Sequence, residues 1–283
     1  ILQMSDLKLY NEVTGLSSKT TTLLYSSSFS SAIKLLHADL RQPIYDIYGF
    51  VRFADEIVDT FHGYDKATLF AQFKKDTYLA LEQGISLNPI LHRFQLTYSK
   101  YKIDLALLEA FLVSMEMDLS KQAYNQDSYN EYIYGSAEVI GLMCLHIFCE
   151  GNKVQFEQLK PAARSLGAAF QKVNFLRDIK ADFEGLERMY FPNCDFSNFS
   201  QVDKDKIEDD IQNDFSIALA GIKHLPLKAR FGVYVAFKYY YSLFKKIKKV
   251  HPHSILKTRI RIPDYGKIFI LAKASIRSQL NLF

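Results

Sequence analysis

Cysteine is scarce in this sequence: Cys144, Cys149 and Cys194 are the only three among 283 residues. An odd count without regular spacing excludes a disulfide framework, and the lack of a CxxC pair removes the usual zinc signature. Such usage fits a reducing cytosol. Glycine (12) and proline (7) are also few, and no regular strand-and-turn spacing appears. No ExxH pair suggests a di-iron bundle, and no GxGxxG or P-loop suggests a dinucleotide or triphosphate site. The seven histidines share no metal-ligand spacing. There is no internal repeat, low-complexity segment or interdomain linker. No N-terminal stretch combines a basic start, an apolar run and a cleavage site. The longest uncharged apolar run, Val139 to Cys149, falls well short of the roughly 20 residues that span a bilayer. A soluble or peripheral protein is therefore expected, not a membrane-spanning one. Ile1-Leu2-Gln3 ahead of Met4 reads as an expression remnant, leaving one domain over 4–283.

What is present points to helices nearly throughout. The chain is 48% apolar and 23% charged, with 22 Phe and 18 Tyr, enough to bury a large core. Pro43, Asp65 and Asn88-Pro89 each read as a helix start. Asp104 precedes LALLEAFLVSMEMDL, whose apolar positions 105, 108, 112, 115 and 119 step by three or four. Ser128 is expected to cap a segment running to about Cys149 and ended by Gly151-Asn152. Further helices are expected near 156–183, 203–221, 226–250 and 263–281, with breaks at Gly84–Asn88 and at 190–202. The second break is long enough for a mobile flap. The fold class is all-α.

Net charge is +4 but uneven. Residues 201–214 are strongly acidic, whereas from Lys223 onward there are 14 Lys and Arg against the single acid Asp264. A basic third could meet nucleic acid, an anionic membrane or a phosphorylated ligand, but no nucleic-acid recognition module accompanies it.

Two short segments carry the chemistry. In the first, Tyr48 to Asp59, the carboxylates Asp55 and Asp59 are four apart and project from one helix face. Like charges there repel unless a cation lies between them. In the second, Gln171, Asn174, Asp178 and Asp182 form a polar stripe on a helix otherwise made of Phe170, Val173, Phe175 and Ile179. Magnesium takes oxygen ligands, often one or two carboxylates together with substrate phosphates. Arg52 and Arg177, beside the two pairs, are donors suited to the same phosphates. One DxxxD is common on solvated helices; two, each set among apolar residues with Arg and amide side chains in register, are not.

Leu166-Gly167-x3-Gln171-x2-Asn174-Phe175-x-Arg177-Asp178-Ile179-x2-Asp182-x5-Arg188-x-Tyr190-x-Pro192 resembles the second signature of the squalene/phytoene synthase family over its whole length. Tyr132-x2-Gly135-Ser136-Ala137-Glu138-Val139-Ile140-Gly141 resembles the first signature. It departs at Ile133, where a small residue or Cys is usual, and at Glu138, where a small residue is preferred. The first aspartate motif reads Asp-Glu-Ile-Val-Asp, where many members have Asp-Asp. Ser26-Ser27-Ser28-Phe29 resembles an N-terminal diphosphate-contacting stretch, and Tyr241 with Arg259-Ile-Arg261-Ile resembles the C-terminal motif. The likeness runs from about Leu24 to Pro263.

The resemblance implies a class I isoprenoid (terpenoid) synthase fold, a single helical bundle around a deep central cavity with both aspartate motifs at its mouth. It implies head-to-head condensation of two geranylgeranyl diphosphates through a cyclopropyl diphosphate, with farnesyl diphosphate as the alternative substrate. Ile33 and Tyr45 are expected to set the pocket depth that separates the two. A non-catalytic assembly or tethering role is the alternative of another class. Asp55, Asp59, Asn174, Asp178 and Asp182 would hold Mg2+, with Mn2+ as a substitute and no nicotinamide required. The four aspartates and Tyr48 would be catalytic. Tyr25, Ser26, Ser28, Phe29, Arg52, Gln171, Arg177, Arg188, Tyr190 and Tyr241 would contact the polyprenyl diphosphate. An apolar product and a basic C-terminal region together imply a cytoplasmic protein with peripheral contact to the inner membrane surface. Failure to sediment with anionic liposomes at low salt would remove that last expectation.

Overall fold

A computed structural model describes residues 2–120, 124–185, 190–192, 194, 199–256, 260–263, 266, 270, 271 and 274; the side chains of 2–6 and 180–185 lie outside the description. Among these residues there are helices and no strand. In chain order they are α1 (Leu2–Tyr25), α2 (Ser27–Ile33), α3 (Ala38–Asp59), α4 (Lys66–Gln83), α5 (Pro89–Tyr101) and α6 (Leu105–Ser120). Then follow α7 (Gln126–Ile133), a π-helical turn (Tyr134–Glu138), α8 (Val139–Cys149), α9 (Lys153–Gly185), α10 (Gln201–Ile222), α11 (Leu227–Lys248) and α12 (Pro252–Ile255).

Local chemistry sets most of these boundaries. Asp65 Oδ1 accepts from the Thr68 amide at 3.0 Å to start α4, and Gly84, with φ of 68°, ends it in the left-handed region. Asn88 accepts from the Ile90 and Leu91 amides, with Pro89 in the first turn of α5. Asp104 Oδ1 accepts from the Ala106 amide ahead of α6. Two expected starts move. Pro43 lies inside α3, which already begins at Ala38; having no N–H, it removes one backbone hydrogen bond from the helix's second turn. Asn125, not Ser128, caps α7: Asn125 Oδ1 accepts from the Ser128 amide at 2.9 Å, and Ser128 Oγ accepts from the Asn125 amide at 3.1 Å. In this reciprocal box Ser128 is the third helical residue. The segment expected at 263–281 lies mostly outside the described residues, with 266, 270, 271 and 274 helical.

The π turn joins α7 to α8, so Gln126–Cys149 is one continuous 24-residue helix whose most apolar window has a mean hydropathy of 1.4. It is long and apolar enough to cross a membrane, which the uncharged run alone did not reveal. In this bundle 67% of that window is buried, and the helix serves as a core element. Glu150 (φ 46°) and Gly151 (φ 91°) end it. Backbones meet where this helix crosses α9. A Cβ at Gly141 would lie 2.4 Å from the Ala163 carbonyl oxygen, and one at Gly167 would lie 2.4 Å from that of Ala137. Gly141→Ala is accordingly expected to destabilise the fold by about 1–3 kcal/mol, since the helices must part to admit a methyl group. Urea denaturation that finds no change would place the crossing elsewhere.

The core has two halves. Phe50 stacks on Phe94 with centroids 3.9 Å apart and packs on Phe73 and Phe111, each at 5.5 Å, joining α3 to α4, α5 and α6. Phe215 packs on Phe237 and Phe244 between α10 and α11. One large cavity draws lining residues from both halves.

Candidate active site

On α3, Tyr48, Arg52, Asp55 and Asp59 recur at four, three and four residues and so share one face. On α9, Gln171, Asn174 and Asp178 do the same. All seven line the same cavity, of about 590 Å³, together with Arg177. The junction of α1 and α2 adds Tyr25, Ser26 and Phe29, and the segment after α9 adds Tyr190. The remaining wall is largely apolar, with Leu36, Ile47, Met115, Phe148 and Leu159 among its side chains. Two aspartate segments more than a hundred residues apart therefore face one space with a polar patch and a greasy interior.

The arginines already engage the carboxylates of their own helices. Arg52 Nη1 is 3.1 Å from Asp55 Oδ2, and Arg52 also pairs with Glu56, which accounts for the glutamate in the first motif. The Arg52 guanidinium lies 4.4 Å over the Tyr25 ring, and its Nε is buried without a hydrogen-bond partner. Arg177 Nε donates to both Asp178 oxygens, at 3.0 and 3.1 Å, while Nη2 donates to Oδ2 at 2.5 Å. Asn174 Nδ2 faces Gln171 Oε1 at 3.5 Å, whereas Asn174 Oδ1 is buried with no partner. That orphaned oxygen beside Asp178 suits an oxygen-seeking cation. Among the described residues no three His, Cys, Asp or Glu side chains converge to hold an ion unaided. A hard cation here would need oxygens from a second ligand, as magnesium commonly does at phosphates.

Burial pushes the Tyr48 phenol up to about 12, with Arg52 pulling the other way, so Tyr48 is a neutral hydroxyl at neutral pH. Tyr240 on α11 stacks on Phe170 at 3.9 Å. Burial raises its phenol also, against the pull of Arg177 and of a hydrogen bond from Asn174. Tyr48 of α3 and Tyr240 of α11 both line the cavity with Asn174 of α9. Burial likewise holds the Cys144 thiol at about 12, an unreactive wall residue.

Not every expected contact lies on the cavity. Ser28 is half-buried on α2 and does not line it. Tyr241 points to α10, where its hydroxyl donates to Gln212 Oε1 at 3.3 Å and its ring meets Phe215 at 5.2 Å; the cavity tyrosine is its neighbour Tyr240. Gly232, Ala236 and Tyr240 step by four along one face of α11 and line the cavity together. Ile33 lines the cavity, while Tyr45 is buried behind the wall. The Asp182 side chain, Arg188 and Arg259 lie outside the described residues. Sequence reasoning gave no site role to Tyr132 or Ser136, and both face the cavity. Of the departures in the first signature, Glu138 pairs with Arg164 at 2.5 Å and Ile133 is core.

An all-helical bundle whose cavity joins paired carboxylates to an apolar interior is a terpenoid synthase fold. Its solved likenesses include a dehydrosqualene synthase (TM-score 0.83, 19% identity, 96% of this chain and 98% of that one). A squalene synthase from Alicyclobacillus acidocaldarius superposes at TM-score 0.73, with 18% identity over 87% of this chain and 95% of that one. The squalene/phytoene synthase profile matches residues 24–265, and the chain belongs to that family of prenyltransferase-type enzymes. Among its relatives, a phytoene synthase of Arthrospira platensis is 24% identical over 92% of this chain and 91% of its own length. A presqualene diphosphate synthase of Rhodopseudomonas palustris is 28% identical over 59% of this chain and 58% of its own.

Proposed function

We propose that this enzyme condenses two geranylgeranyl diphosphates head to head into phytoene through a cyclopropyl diphosphate. The observation that carries the reading is the single cavity on which Asp55, Asp59, Asn174 and Asp178 sit with Arg52 and Arg177 above an apolar wall. In the first half-reaction one diphosphate leaves and one proton is lost as the cyclopropane closes. In the second, the remaining diphosphate and another proton leave, so no hydride donor is needed.

Asp55, Asp59, Asp178 and the orphaned Asn174 Oδ1 fit Mg2+, with Asp182 one turn further along α9 as an additional ligand. Bound there with substrate, the ion would neutralise diphosphate charge and ease departure of the leaving group. The chain's own residues do the rest. Arg52 and Arg177 exchange their carboxylate partners for phosphate oxygens, a geometry suited to guanidinium forks. Ser26 and Gln171 orient the head groups. Tyr48 and Tyr240 turn aromatic faces toward positive charge, and the apolar wall excludes water from the cation.

The cavity volume lies within the range of about 300–1,000 Å³ common for small-molecule sites. Both dehydrosqualene synthase and phytoene synthase occur among the similar proteins, so the farnesyl substrate is the second reading. The test is incubation of purified protein and Mg2+ with each diphosphate separately, without nicotinamide, and identification of extracted products by mass. Phytoene from the C20 substrate is expected. A farnesyl-derived product would change the substrate alone. No hydrocarbon from either, with EDTA making no difference, would favour a non-catalytic role.

A further inference from the structure

One carboxylate behind the cavity wall has no part in the reaction as proposed. Asp118, on α6, is only 7% exposed. Its Oδ2 accepts the Tyr132 hydroxyl proton at 2.7 Å, and its Oδ1 accepts from the Tyr124 hydroxyl at 3.4 Å. Tyr132 is itself a cavity residue, as are Phe175 and Tyr190. The Tyr132 ring sits 5.0 Å from Tyr124, 5.3 Å from Tyr190 and 6.0 Å from Phe175. Phe175 and Tyr190 stack at 3.9 Å, nearly parallel. These rings lie beside Asn174 and Asp178 on α9, where positive charge would develop.

An aromatic wall of this kind does not need a buried acid, and phenylalanine would fill the same volume without one. Burying a carboxylate is costly unless it is hydrogen-bonded. We propose that Asp118 is a positioning residue for the condensation: by accepting the Tyr132 hydroxyl proton it fixes that ring in the cavity wall and enriches the face that meets the reacting cation. The proposal rests on the functional reading given above.

Two physical consequences support it. A hydroxyl bonded to a carboxylate at this distance cannot swing, because charge-assisted hydrogen bonds are short and strong. Donation to an anion also polarises the phenol and makes its ring face more attractive to positive charge. The proton itself stays on Tyr132: burial first, and then the nearby Asp118 charge, push this phenol far above the ordinary tyrosine range.

Asp118→Asn keeps the size of the side chain and removes its charge. It is expected to lower kcat roughly 10- to 100-fold while KM stays within about threefold. The share of substrate leaving as prenyl alcohol is expected to rise; there, water's oxygen bonds to the cationic carbon, diphosphate departs and a proton passes to solvent. Tyr132→Phe is expected to shift the products in the same direction, and adding Asp118→Asn to it should change little further, since residues acting through one contact are not additive. A merely structural Asp118 would lower Tm and activity together, with an unchanged alcohol-to-hydrocarbon ratio and effects that multiply; that result overturns the proposal and leaves the function intact. If Asp118→Asn does not fold, Tyr132→Phe decides: a wild-type alcohol share overturns the proposal. A wild-type protein that releases no diphosphate from either substrate overturns the functional reading, and the role of Asp118 falls with it.

Discussion

Asp55→Asn and Asp178→Asn should each lower turnover by about 10²- to 10³-fold, the usual loss when one preorganised electrostatic contact to a developing charge is removed. Both side chains are partly exposed, at 35% and 19%, and each pairs with an arginine on the same helix. Such pairs contribute at most about 1 kcal/mol to folding. Asp55 also sits one turn from Asp59, and that repulsion disappears in the variant. Stability should therefore stay within about 1 kcal/mol of wild type while activity collapses, which separates a binding role from a structural one. The variants should also need more Mg2+ to reach half their maximal rate. Near-normal turnover in either variant, at saturating substrate and metal, would remove the metal-diphosphate assignment.

The polar stripes on α3 and α9 were legible because a helix repeats about every 3.6 residues. Spacings of three and four then placed Asp55 with Asp59, and Gln171 with Asn174 and Asp178, without any coordinates. What escaped notice had an equally physical reason. Helix α1 hides its periodicity by burying hydroxyls: Thr14 and Thr22 are 1% and 0% exposed. Each donates to a carbonyl four residues back, at 2.9 and 3.0 Å, so these two hydroxyls are buried with their donors satisfied. Meanwhile Leu9, Val13 and Leu16 face outward, the reverse of the usual pattern. In the run Tyr239-Tyr240-Tyr241, residue type cannot tell which ring enters the cavity, and only the phase of α11 against its neighbours does. Much of the acidic stretch 201–214 belongs to packing, with Asp210 and Asp214 gripping Lys172 of α9 at 2.5 and 2.8 Å.

Asp46 is the fullest case of a residue whose letter misleads. It stands nine residues before Asp55, about two and a half helical turns, and so occupies the opposite face of α3. There it is 0% exposed and accepts from Arg93 Nη2 at 3.0 Å, Thr97 Oγ1 at 2.8 Å and Gln42 Nε2 at 2.8 Å. Gln42 Nε2 also reaches the Gly15 carbonyl at 3.0 Å, and Arg93 Nη1 reaches that of Asn11 at 3.3 Å. One carboxylate thus organises the seam where α1, α3 and α5 meet. Asp46→Ala strands a largely buried guanidinium and is expected to cost about 3–5 kcal/mol. At about 2–4 °C per kcal/mol for a chain near this size, Tm should fall by about 6–20 °C. Replacing Asp46 and Arg93 together by Leu and Met should recover much of that loss, because the expense lies in the unpaired charge and not in the missing bond. The seam also reaches the site, since α1 ends at Tyr25 and Ser26 on the cavity. Asp46→Ala should therefore raise KM for the prenyl diphosphate at a temperature where the variant is still folded. A loss below about 1 kcal/mol in urea denaturation, with KM unchanged, would mean that apolar packing alone seats α1.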